Sequence, residues 1–195
     1  MRIGLTVLVA VVVLGGCTHS EPPRESPAVP VIGSSRPKAS GERTVPNNCD
    51  AVATLDDLTR ILNSFVPGPV QRIVGVPQDN IGRTARLDCY YGLAAGQATT
   101  AAPIWIGLTS YVNEESARKR LTATVADERS ASGTASVNDV VVGDGHGVLI
   151  RNANWMLVAG RGRVTVVVQV VPTVVREDHA GQLLGQVADF ALTKH

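Results

Sequence analysis

Between residues 137 and 171 the chain fits four β-prone runs, at 137–142, 148–151, 155–159 and 163–171, with gaps of only three to five residues. A parallel crossover needs a dozen residues or more, so neighbouring runs here must pair antiparallel. Gly160-Arg161-Gly162 reads as a hairpin turn between the last two. Val164, Val166, Val168 and Val170 then share one face, and Pro172 ends the run. Three more runs lie upstream, at 70–76, 85–92 and 104–112. In the third, Ile104, Ile106 and Leu108 alternate with Trp105, Thr109 and Tyr111.

Three helices punctuate these runs. Thr54 can cap the first, with Asp56 and Asp57 in its opening turn, and Leu55, Leu58, Ile61, Leu62 and Phe65 follow at helical spacing. Pro67-Gly68-Pro69 stops it. Asn113 caps a second, over 114–129, with Ala117, Leu121 and Val125 spaced by four. A third, over 174–193, carries Leu183, Leu184, Val187, Phe190 and Ala191 on its apolar face. The order is α-β-β-β-α-β-β-β-β-α. That predicts an α+β fold: a mostly antiparallel sheet with about three helices packed on one face.

The N-terminus has another texture. Met1-Arg2 is a short positive end, and residues 3–14 are uncharged and mostly Val, Leu and Ala. That core is too short to span a bilayer, which needs about 20 residues. It closes on Leu14-Gly15-Gly16-Cys17. The pattern resembles the bacterial lipoprotein signal, in which the cysteine is acylated and becomes the mature N-terminus. The resemblance implies a signal peptide at 1–16 and membrane attachment through acyl chains on Cys17. It also implies a location on the outer face of the cell membrane. Two chains hold stably where one is marginal.

Six of the 11 prolines and five serines then fall within 18–46, without one aromatic residue. Such a segment cannot bury enough apolar area to offset its chain entropy. We read 17–46 as the lipidated cysteine with a Pro/Ser-rich disordered tether, and 47–195 as one domain. All seven aromatics lie in that domain. So do Cys49 and Cys89, an even pair that predicts one disulfide in an oxidising compartment. Metal binding is the rival reading of the pair, but no histidine has ligand spacing to either cysteine.

Charge excludes one partner class. With 18 basic and 17 acidic residues the net charge is +1, and no basic stripe suited to nucleic acid exists. Catalytic signatures are equally thin. The chain has no C-x-x-C, H-x-x-x-H, G-x-S-x-G or phosphate-loop motif, so no catalytic residue, metal site or cofactor is expected. Gly143-Asp144-Gly145-His146-Gly147 reads as a turn in which Asp144 bonds local amides, with an Asp144/His146 proton-transfer pair as the alternative. Arg118-Lys119-Arg120 reads as a solvated helix face. The candidate binding surface is Trp105, Thr109 and Tyr111, with Arg161 and Arg163 at the hairpin tip. The aromatic face looks outward if the helices cover only the aliphatic face, and is core if both faces are covered.

Taken together, a capped helix after a first Cys, Cys89-Tyr90-Tyr91 ending a strand, and Val142-Gly143-Asp144-Gly145 before a hairpin and terminal helix resemble a known group. These are actinobacterial cell-envelope lipoproteins, common in mycobacteria, whose domains have no assigned activity. Members tend to carry Cys-x-Trp where this chain has Cys89-Tyr90-Tyr91. The resemblance implies an exported, membrane-anchored α+β domain and brings no catalytic residues. The expected function is therefore a non-catalytic domain binding an envelope protein or a small apolar or glycan ligand. An enzyme acting on envelope lipids or glycans, and an accessory or sensory domain of a membrane complex, are the alternatives.

Overall fold

The computed structural model describes residues 43–133 and 135–194. The signal, Cys17 and nearly all of the tether lie outside the described residues. Three helices, α1 (Leu55–Leu62), α2 (Glu114–Ala131) and α3 (Glu177–Thr193), accompany seven strands. The strands are β1 (Val70–Gly75), β2 (Arg83–Tyr91), β3 (Ile104–Tyr111), β4 (Ser136–Val142), β5 (Gly145–Arg151), β6 (Trp155–Arg161) and β7 (Val164–Val170). The expected element order is the one observed. All pairings are antiparallel, in the order β1-β2-β3-β7-β6-β5-β4. Two meanders, β1–β3 and β4–β7, are thus joined along one seam, where Ile106 faces Val168.

One face of the sheet carries Leu87, Cys89, Tyr91, Ile104, Ile106 and Leu108 from the first meander. Leu149, Leu157 and the even-numbered valines of β7 continue it through the second. Leu58 and Leu62 of α1 and Leu184, Val187, Ala188 and Ala191 of α3 seal it. Each such side chain contributes roughly 1.5–3 kcal/mol on burial. Helices do not all sit there, however. α2 packs on the opposite face, where Leu121 and Val125 meet Ile150, Met156, Val158 and Val167. The expectation of helices on one face is corrected: β5, β6 and β7 are apolar at odd and even positions alike and are covered on both sides.

Two local boundaries also moved. Helix α1 stops at Leu62 because Asn63 takes the left-handed conformation, φ 50°. Phe65 leaves the helix and is 80% exposed. At the other end, packing starts before residue 47: Arg43 is buried, donating to the Ala51 carbonyl at 2.6 Å, and Val45 lies against the core.

The disulfide Cys49–Cys89 is formed, with Cα atoms 5.6 Å apart. It fastens the segment before α1 to the C-terminal end of β2. Thr54 and Asp57 close a capping box on α1: Asp57 N–H donates to Thr54 Oγ1 (3.1 Å) and Thr54 N–H to Asp57 Oδ2 (3.0 Å). Lys194, past the end of α3, donates to the same carboxylate at 2.8 Å. Burial alone would raise the Asp57 carboxyl. Lys194, the Thr54 amide and hydroxyl, and Arg60 together outweigh burial and hold it well below the carboxylate range. A depressed folded value contributes stability above the unfolded value of about 3.9, and that stability is lost as pH falls further. Asp57→Asn is therefore expected to cost about 1–2 kcal/mol at neutral pH and to flatten the acid limb of a urea-denaturation series. An unchanged acid limb would refute this.

Candidate functional site

Strand register builds one polar and aromatic row on the α2 side of the sheet. Gln71 of β1 faces Tyr90 of β2, Tyr90 faces Trp105 of β3, and Trp105 faces Gln169 of β7. Period-two alternation puts all four on the same side. The row continues into Met156 and Ile150, which are buried, with α2 packed against them. Helix α2 packs on β3, β5, β6 and β7. β1 stands outside that cover, with Gln71 exposed and Ile73 41% exposed. The face is half clothed, and the Gln–Tyr–Trp–Gln row lies at the step.

The two rings form a parallel, stacked pair. Their centroids are 6.3 Å apart and their planes differ by 11°. On the same face, two residues before Tyr90, lies Asp88, a carboxylate only 5% exposed. Arg86 donates to it twice, Nε to Oδ2 at 2.7 Å and Nη2 to Oδ1 at 3.0 Å. The Trp105 indole N–H donates to Oδ1 at 3.0 Å. Asp88 therefore has both oxygens engaged and its charge offset. The same contact holds the Arg86 guanidinium above its ordinary value. The Tyr90 phenol is raised by burial first and by the Asp88 charge second.

Two glycines make room for this arrangement. A Cβ at Gly107 would stand 2.9 Å from Asp88 Oδ1 and 3.1 Å from the indole. One at Gly75 would stand 3.0 Å from the Arg86 Cβ. Asp88 and Arg86 act as positioning residues: they fix how the indole lies on the sheet and use up its N–H. What remains for a ligand is ring surface.

The other sequence-derived candidates fall elsewhere. Thr109 (8% exposed) and Tyr111 (3%) are buried, so the Trp105–Thr109–Tyr111 surface is corrected to Trp105 alone. Burial pushes the Tyr111 phenol up. Arg161 is a surface strut, bridging the exposed Asp144 (2.7 Å) and Asp189 of α3 (3.2 Å). Arg163 is exposed in the β6–β7 turn, and its carbonyl accepts the Tyr111 N–H. Asp144 bonds Arg161 rather than local amides, in a two-residue β4–β5 turn where Gly143 has φ 59°. His146 is exposed and stands opposite Val141, on the α2 side of the sheet. Arg120 pairs loosely with Asp127 at 3.8 Å, while Arg118 and Lys119 are exposed. The residues that sequence reasoning missed are Gln71, Arg86, Asp88, Tyr90 and Gln169. For Arg86, Asp88 and Tyr90 the signal was alternation in β2, where they interleave with Leu87, Cys89 and Tyr91.

Neither a family model nor a curated protein matches this chain. Among solved structures, the crystal structure of the extracellular domain of PknH from Mycobacterium tuberculosis is similar. Identity is 13%, the TM-score is 0.48, and the match covers 77% of this chain and 98% of that one.

Proposed function

We propose that this is an exported protein held at the outer face of the cell membrane by acyl chains on Cys17. Its domain is a recognition module for an envelope component, not an enzyme. The observation that carries the binding role is the half-covered face, where a partly buried Arg86–Asp88 pair pins the Trp105 indole beside Tyr90. An ion pair with one partner a third exposed adds little stability, and apolar residues of similar volume often do as well. Using one to orient a partly buried ring fits a prepared binding surface. Aromatic anchors of this kind dominate recognition energy. The Cys49–Cys89 bridge fits an oxidising compartment. A catalytic reading would have drawn on Asp144 with His146, but Asp144 is engaged by Arg161.

The test uses full-length protein in detergent, immobilised and exposed separately to the protein, lipid and polysaccharide fractions of envelope extract. Wild type should retain one fraction, and the Tyr90→Ala/Trp105→Ala variant should retain at least tenfold less, about 1.4 kcal/mol or more. Equal retention by both would sink the proposal. Membrane attachment is read separately. Cys17→Ala should leave the membrane pellet, and continued pelleting would rule out the lipid anchor.

A further inference from the structure

Resting on that reading, we infer that the row Gln71–Tyr90–Trp105–Gln169 binds an uncharged envelope polysaccharide laid across the strands. Four chemical features of the row select this ligand. First, the row carries no formal charge, and the charges beside it on the same face, Arg86 and Asp88, satisfy each other. A polyanion gains no unpaired cation there. Second, Tyr90 and Trp105 are nearly parallel, with planes 11° apart. The ring face is its negative side, and the C–H face of a pyranose presents weakly positive hydrogens to it. Third, an amide stands at each end of the ring pair. Each carries an acceptor oxygen and two N–H donors, a match for neighbouring hydroxyls, which both donate and accept. Fourth, three strand spacings of about 4.8 Å set the row at roughly 14 Å, the reach of a short oligosaccharide rather than one sugar.

The indole N–H belongs to the same argument. It is committed to Asp88, so Trp105 meets a ligand with its π-surface alone. Acyl chains are a poorer fit, because apolar ligands seek enclosed apolar pockets and this row is an open strip edged by amides. A protein partner is the other outcome that the test separates.

The domain carries its own control. Trp155 donates its indole N–H to the Val175 carbonyl at 3.0 Å and packs in the core on the opposite face. Full-length ¹⁵N-labelled protein in detergent would be titrated with maltohexaose, cellohexaose and mannohexaose at millimolar concentration. The Trp105 indole signal and the side-chain amides of Gln71 and Gln169 should move with at least one of them, and the Trp155 indole should stay. Trp105→Ala should weaken binding about tenfold or more. Gln71→Ala/Gln169→Ala, which leaves the core untouched, should weaken it several-fold with the spectrum otherwise intact. Movement of neither Trp105 nor the glutamines with any hexasaccharide overturns the inference, as does undiminished binding by the glutamine pair variant. If the sugars fail while the protein fraction is retained through Tyr90 and Trp105, the saccharide inference falls and the recognition surface stands. If nothing is retained, both fall.

Discussion

Replacing Cys49 and Cys89 together by alanine should lower the unfolding free energy by about 4 kcal/mol. The bridge spans 40 residues, and closing a loop of that length in the unfolded chain accounts for this magnitude. Domains of this size hold only about 5–15 kcal/mol in all, so the loss is a large share. Locally, the bridge fixes the segment before α1 against the C-terminal end of β2, where Cys89 is fully buried. Without it, the turn at Cys49, Val52 and Ala53 would loosen before the sheet does. Urea denaturation of oxidised wild type against the double variant measures the effect. A difference under about 1 kcal/mol would show that the bridge is incidental to folding.

Tyr91→Ala should be comparable, at about 3–5 kcal/mol. Tyr91 is among the largest fully buried side chains, and its hydroxyl donates to the Ala53 carbonyl at 3.1 Å. It thus grips, from β2, the same segment that the disulfide holds. Burial above all drives its phenol far up from the ordinary value, with Asp50 and Asp57 adding to the shift and the Ala53 bond opposing it. Tyr91→Phe keeps the packing and removes the bond, so about 1 kcal/mol is expected. Because both sites hold one segment, the losses should not add: the triple variant should fall short of the sum. Strict additivity in the denaturation midpoints would mean that the two act on separate structures.

The element order was legible because its signals are local. Thr54 with Asp57, Asn113, Pro172 and the alternation of Ile104–Leu108 each settle their own few residues. The side of the sheet that α2 takes is not local. Ala117, Leu121 and Val125 mark an apolar stripe without saying where it docks. The hint lay in strands apolar at every position, such as Trp155–Arg161 up to Ala159, which marks burial on both faces. The site was legible only in part for a similar reason. Trp105 stood out as an aromatic opposite an aliphatic face. Its partners depend on register between strands: only the β2–β3 pairing puts Tyr90 against Trp105 and Asp88 beside Gly107. Thr109 and Tyr111 share Trp105's parity but lie four and six residues further along, where the face is buried.

The seam between β3 and β7 has a kinetic consequence. Within each meander, every strand pairs with its neighbour in sequence, and such hairpins close in about 1–10 μs. The seam is different: Ile104 must find Val170, and the chain between them includes α2 and most of the second meander. Closing so long a loop costs entropy before any contact repays it. Folding is then a docking of two locally finished halves, and the slow step belongs to the strand pair at the centre of the sheet rather than to its edges.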